Sequence, residues 1–379
     1  MSSCPGVWGG SEELWAGTAQ WLLKKGHAVR AFKANVDARN SRVMALRAAG
    51  CPVADIDPGL TLRQRLANRL LPYLRQHTRR RLGEQVLARE LRMFRPHLVV
   101  VSQGSNYDGI AFAEVCRQTG QVYVLLLHKA VEFALPLFFE RTLAQQVYRA
   151  ARRCFFVSQH NLALTQLQLA LTLPGAEVVQ NPFNVAFDGE LPWPPGAADE
   201  VLRLACVGRF EILDKGQDVL LQVLAQDKWR ARPLHVTLYG AGHDEEALAE
   251  MIDWLGLHRQ VRFGGYVPDM TAVWRTHHAL VLPSRSEGLP LALVEAMLSG
   301  RPAIAANAGG MAELLADNET GFLAPTATLP ALDEALERAW QQRAHWPAMG
   351  VAAARRARAT VPADAAAIFG QQLLLEAAR

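Results

Sequence analysis

The feature that most constrains this chain is an alternation repeated along its length, in which short apolar runs are each followed by a stretch of helical periodicity. A strand buried on both faces reads as a near-continuous apolar run and needs helices to cover it. The rhythm therefore predicts an α/β protein of parallel, doubly wound sheets. In the first half, strands are expected at 27–34, 52–57, 97–103, 121–128, 153–159 and 176–180. Between 182 and 199 the sequence PFNVAFDGELPWPPGAAD is crowded with Pro and Gly and has no period, so it reads as an interdomain linker. A second series of strands follows at 201–208, 234–240, 261–267, 279–284 and 302–307. With 379 residues there is room for two domains of ordinary size. The expected division is 1–185, 200–350 and an Ala- and Arg-rich helical segment, 351–379.

Apolar residues make up 50% of the chain and charged residues 20%, a balance that supports packed cores. No window approaches the roughly 18 uninterrupted apolar residues of a membrane span, and the start lacks the basic-then-apolar pattern of a secretory signal. A cytoplasmic location is expected. Cys4, Cys51, Cys116, Cys154 and Cys206 are widely spaced with no C-x-x-C pair, which points to neither a disulfide framework nor a thiolate metal site. Near the start, WGGSEELWAGTAQWLLKKGH predicts a helix capped by Ser11, with Glu12 and Glu13 at the positive end of its dipole and Gly26 beyond its last turn. Only MSSC precedes this stretch to supply an opening strand. Either that strand is stunted or the natural start lies upstream of Met1.

The strongest chemical signal is PSRSEGLPLALVEAMLSGRP, residues 283–302. An apolar strand ends at Leu282, a turn follows through Gly288, Pro290 suits a helix start and Gly300 closes the helix. Backbone N–H groups of Gly288, Leu289 and the residues after Pro290, beginning with Leu291, would leave the helix start toward an anion or sugar oxygens. Glu287 stands on the loop and Glu295 follows eight residues later, on the helix, so two carboxylates could hold one elongated molecule. LYGAG, 238–242, has the strand-then-glycine form of a nucleotide loop, but the residues after Gly240 and Gly242 lack the third glycine of a dinucleotide site.

The Glu287/Glu295 pair in SEGLPLALVEAM resembles the E-x7-E signature of retaining glycosyltransferases with the GT-B fold, and closely that of glycosyltransferase family 4. The segments GGSE (9–12), VSQHN (157–161), VVQNPFN (178–184), VGRF with DKG (207–216), FGGYV (263–267), AGGMAELL (308–315) and TGFL (320–323) agree with that family in order and spacing. The resemblance covers most of the chain. It implies two Rossmann-like domains facing an interdomain cleft, with the last helix crossing back to brace the first domain.

The same resemblance implies roles for individual residues. Arg209 and Lys215 match the family's basic pair at the diphosphate, and Glu295 matches the carboxylate that accepts from the ribose hydroxyls. Glu287 matches the one that meets the donor sugar, and Glu313 a position near the nucleotide or phosphates. Gly9 and Gly10 resemble the loop that crosses the cleft near the donor, while Gly240 and Gly242 read as close-approach positions beside the nucleotide. His128, at the end of an apolar strand, resembles the histidine shown to the donor sugar; a structural hydrogen-bonding role for it stays open. Ala312 stands where proline is common in the family.

The implied substrate is a UDP-, GDP- or ADP-sugar, used without a cofactor, and the implied acceptor is a glycan or a lipid-linked molecule of cell-surface glycan, lipopolysaccharide or glycolipid synthesis. The implied chemistry retains anomeric configuration, with cations and helix-end amides meeting the leaving-group charge. No metal is expected: Asp55-Ile56-Asp57 has D-x-D form but lies far in sequence from the nucleotide motifs, and His277 and His278 lack i, i+4 ligand spacing. Residues 61–95 hold ten arginines against two glutamates, interleaved with Leu62, Leu66, Leu70 and Leu74. That segment is either a basic surface for an anionic membrane at its inner face or a solvated helical excursion. Without stacking aromatics it does not read as a nucleic-acid site. Two rivals remain: a nucleotide-sugar 2-epimerase or hydrolase on the same scaffold, and a noncatalytic sugar-nucleotide-binding subunit.

Overall fold

In a computed structural model, residues 8–56, 72–189, 191–195 and 201–379 are described. The chain forms two compact units, one of Met1–Pro182 with Asp364–Arg379 and the other of Phe183–Ala363.

In the first unit, β1 (Ala31–Lys33) pairs in parallel with β2 (Val53–Asp55), and β3 (Val99–Gln103), β4 (Tyr123–Leu127), β5 (Arg153–Phe156) and β6 (Glu177–Val178) form a parallel sheet in chain order. The β4 run YVLLL is apolar throughout because both of its faces are buried. Tyr123, Leu125 and Leu127 share one core with Ile110, Ala113 and Val147 from the helices Ile110–Gln118 and Phe138–Ala150. Val124 and Leu126 share another with Leu14, Phe369 and Leu373. Leu14 belongs to the helix Gly10–Lys24 and Phe369 to the last helix, Ala365–Ala378. Small residues let these two helices approach: a Cβ on Gly370 would lie 2.4 Å from Trp21 Cε3, and Thr18 Oγ1 donates to Ala366 O at 3.1 Å.

The second unit is one six-stranded parallel sheet in the order β12-β11-β10-β7-β8-β9. These strands are β7 (Leu202–Val207), β8 (Leu234–Tyr239), β9 (Val261–Gly265), β10 (Ala279–Leu282), β11 (Ala303–Ala306) and β12 (Gly321–Ala324). The order runs outward from β7 through β8 to β9, then restarts at β10 on the other side of β7. The switch point, where ligands gather in open sheets, thus lies at the carboxyl ends of β7 and β10.

Three details differ from the sequence reading. Gly9, not Ser11, caps the first helix, because Glu12 reaches back and accepts from Gly9 N at 3.0 Å while Ser11 Oγ also donates to Glu12 at 2.8 Å. The edge strand β12 was expected only as the motif TGFL. Residues 183–195 are part of the second unit, where Trp193 packs against His278 and Arg301. Cys51, Cys116, Cys154 and Cys206 are buried and unbridged. MSSC, Asp57 and residues 61–71 of the basic segment lie outside the described residues; the remainder of that segment includes the helix Pro72–Phe94.

Arg301 is the polar centre of the second unit, 1% exposed, where burial lowers its pKa to about 10. It donates to the carbonyls of Trp274, His277, Ser299 and Pro192 at 2.7 to 3.0 Å. Arg301→Leu would strand these acceptors, so a loss of about 3 kcal/mol or more in urea-unfolding free energy is expected. A loss below about 1 kcal/mol would show that water replaces the guanidinium without cost.

Candidate functional site

The chemistry-bearing residues of the second unit cluster at the switch point. After β7 the chain turns through Gly208-Arg209-Phe210, makes the short helix Ile212–Lys215 and enters the helix Gln217–Leu224. After β10 it runs through Pro283–Pro290 into the helix Leu291–Leu298, with Pro290 as the N-cap. Since β7 and β10 are hydrogen-bonded neighbours, the two loops meet. Lys215 Nζ lies 2.7 Å from Glu287 Oε1, with the side chains 19% and 8% exposed. The first bonds of the helix are made by Leu293 and Val294 to Pro290 O, so the N–H groups of Leu291 and Ala292 lie ahead of the intrahelical ladder at its positive end.

The other predicted residues have defined places. Glu295, on the same helix, is 4% exposed, and its Oε1 accepts from Asn184 N at 2.9 Å. Arg209 has an exposed side chain paired with Glu211 at 2.8 Å, and its carbonyl accepts from Gln217 Nε2. Glu313 lies on the short helix Met311–Leu314, directly after the Gly309–Gly310 turn.

The glycines are close-approach positions, and the contact in this structure is with protein backbone. A Cβ on Gly240 would sit 2.0 Å from Gly208 O, and one on Gly242 would sit 2.2 Å from Phe210 O. Their close approach is to the backbone of the Arg209 loop, which they brace together with Asp244, whose Oδ2 accepts from Ile212 N at 2.7 Å. Gly309, at φ 56°, lets its turn touch Glu287 O, and Gly310 N donates to Gly288 O at 2.6 Å. The loops bearing Lys215 and Glu287 are each buttressed from behind.

Gly9, Gly10 and His128 belong to the first unit. His128 follows β4 and is 5% exposed, and its Nε2 lies 3.1 Å from Ser102 Oγ. Burial lowers its pKa to about 4, with Asn181 acting the other way, so the imidazole is neutral at physiological pH. Beside it lies a polar loop that motif reading missed, Gly104–Gly109, with sequence GSNYDG, which follows Ser102 and Gln103 at the end of β3. Tyr107 holds φ 61° there and donates to Gln168 Oε1 at 2.8 Å, and Asn106 Oδ1 accepts from Val131 N. Burial raises the pKa of Asp108 to about 6. A polar run placed directly after an apolar strand was the available signal.

Among the described residues, no group of three or more His, Cys, Asp or Glu could hold a metal. Asp55 instead accepts from Asn35 N and Val36 N at 3.2 and 3.0 Å. His277 and His278 stand between the helix Met270–Trp274 and β10, with pKa values lowered by burial, His278 to about 4.

Residues 202–342 match the family model described as Glycosyl transferases group 1. The D-inositol 3-phosphate glycosyltransferase of Corynebacterium diphtheriae is 30% identical over 188 residues, 46% of this chain and 44% of that protein. A glycosyltransferase from Rickettsia africae superposes with a TM-score of 0.75 at 14% identity, over 100% of this chain and 97% of its own. Anabaena Alr3699/HepE in complex with UDP-glucose superposes at 0.72 and 17% identity, over 99% and 98%. The fold is that of the GT-B glycosyltransferases: parallel-sheet α/β with two Rossmann-like domains. The matched stretches span 15% to 44% of the curated relatives' lengths.

A histidine buried neutral lets the unfolded chain bind more protons than the folded one between the two pKa values, so stability falls as pH drops from about 6.5 to about 4. His128→Asn is expected to flatten that fall in urea midpoints measured across the window, by up to about tenfold in the folding equilibrium per pH unit. An unchanged slope would show that His128 titrates normally in the fold.

Proposed function

We propose that this chain is a retaining, metal-independent glycosyltransferase of family 4, moving a hexosyl group from a nucleotide-diphosphate sugar to an acceptor hydroxyl. The observation that carries the reading is the close contact of Lys215 with Glu287 beside the start of the helix Leu291–Leu298. In the reaction the bond between the anomeric carbon and the leaving oxygen breaks, and a bond to the acceptor oxygen forms on the same face. The acceptor proton passes to a phosphate oxygen. Charge grows on the diphosphate as it leaves, and Lys215, Arg209 and the amides near Gly288 to Leu291 can meet it without a divalent cation. Glu287 holds the donor sugar and Glu295 the ribose. The complexes of Anabaena Alr3699/HepE contain UDP or UDP-glucose, which puts UDP-sugars first among UDP-, GDP- and ADP-sugars as donors.

We infer further that the acceptor is membrane-linked and met at an anionic bilayer surface. The sequence of 61–95 supplies ten arginines, and among the described residues the first unit exposes five large apolar side chains in seven positions: Phe133, Leu135, Leu137, Phe138 and Phe139, at 65% to 84% exposure. Among the described residues no helix is long and apolar enough to cross a membrane, so such a contact would be peripheral.

A thermal-shift screen of the three sugar nucleotides should select one donor. With it, Lys215→Ala and Glu287→Ala are each expected to lower transfer by about 100-fold or more while the protein stays folded. Near-normal transfer in either variant would remove the reading, and product analysis showing epimerised or hydrolysed donor would favour the rival enzyme. In vesicle flotation, Phe138→Ser/Phe139→Ser should lose binding to phosphatidylglycerol vesicles; no binding by the unaltered chain would end the membrane reading.

A further inference from the structure

Lys215 closes a helix of only four residues, Ile212–Lys215, and Gly216 follows it at φ 64°. So short a helix has too few internal hydrogen bonds to hold its own place. Asp244 accepts from Ile212 N at its start, and the other side-chain bonds that hold it come from Arg285, two residues before Glu287 on the opposite loop. Arg285 Nη1 donates to Ile212 O at 2.7 Å and to Asp218 Oδ1 at 2.8 Å, and Nη2 donates to Asp218 Oδ2 at 2.8 Å. The main chain adds two bonds at the same place: the N–H groups of Arg285 and Ser286 both donate to Asp214 O, at 2.8 and 3.1 Å. Gly216 makes this closeness possible, since a Cβ there would lie 2.1 Å from Pro283 O.

These bonds bracket Lys215 in sequence, with Ile212 and Asp214 before it and Asp218 after it. The fork of a guanidinium is needed, because one planar group must meet both oxygens of a carboxylate and a carbonyl at fixed angles. We propose that Arg285 is a positioning residue: it couples the loop of Lys215 to the loop of Glu287 and so sets where the cation meets the leaving diphosphate. The proposal rests on the reading of Lys215 as a diphosphate ligand. Arg285 itself has its guanidinium engaged by Ile212 and Asp218 and acts on the ligand through Lys215.

Arg285→Lys keeps the charge and loses the fork, while Arg285→Ala removes both. UDP, GDP and ADP would be titrated calorimetrically against the unaltered chain, Lys215→Ala, both Arg285 variants and the Lys215→Ala/Arg285→Ala pair, with the melting temperature of each. The nucleoside of the best diphosphate would be titrated alongside. Arg285→Lys is expected to weaken the diphosphate about tenfold and leave the nucleoside unchanged. In the double variant, Arg285→Ala should add little to the loss already caused by Lys215→Ala. An unchanged diphosphate affinity in Arg285→Lys, with Lys215→Ala weakened, overturns the proposal and leaves the role of Lys215 standing. Equal losses of nucleoside and diphosphate also overturn it, since a merely structural arginine would disturb both. If Lys215→Ala binds normally, or the unaltered chain binds none of the three, the reading of Lys215 fails and the proposal with it.

Discussion

A lysine ammonium and a carboxylate, held 2.7 Å apart where two neighbouring parallel strands end, set the terms for the rest of the second unit. Both groups are largely removed from water, and a charge in that position is costly unless a partner stays within hydrogen-bond reach. The partner can stay only if two loops from different parts of the chain hold a fixed separation. Much of the surrounding structure serves that end: the glycines at 240, 242, 216 and 309 let backbone touch backbone, and Asp244 and Arg285 supply charged anchors. In the proposed reaction the same pair has a second use. An incoming diphosphate competes for the lysine, and the carboxylate so released can accept from sugar hydroxyls.

The first unit contributes groups of another kind. Its strands also end in polar residues, but the histidine there is kept uncharged by burial, and its neighbours are hydroxyl and amide side chains. An uncharged imidazole among hydroxyl and amide groups offers hydrogen bonds without a charge of its own. The second unit offers Lys215, Arg209 and a helix start, which suits an anion.

Most of the architecture could be read from the sequence because parallel strands buried on both faces write themselves as unbroken apolar runs; YVLLL at 123–127 is the plainest case. The edge strand GFLA at 321–324 is less regular and was seen only as a motif. The Pro- and Gly-rich stretch from 182 misled in a different way. Lack of periodicity shows that a segment is neither helix nor strand, yet it cannot show that Trp193 packs on Arg301 and ties the segment to the second unit. Within the site, Glu287 and Glu295 stood out by residue type and spacing, and Lys215 through the family resemblance. Arg285 did not, because an arginine in a loop has no periodic signature and its significance lies in carbonyls and a carboxylate some 70 positions away.

That last contrast follows from the chemistry. Groups that touch a ligand must be of particular types, so they leave a mark in the sequence that spacing can reveal. Groups that hold them act largely through the main chain, which every residue shares. Gly240 shows the difference: strand-then-glycine marks a close approach, and the structure shows one to the carbonyl of Gly208, one residue before Arg209. A side chain there would collide with that carbonyl and displace the loop that carries Arg209. Stabilisation of leaving-group charge depends on dipoles and cations that do not have to reorganise as the bond breaks. In this unit that preorganisation is built chiefly from close backbone contact, with one guanidinium joining the two loops.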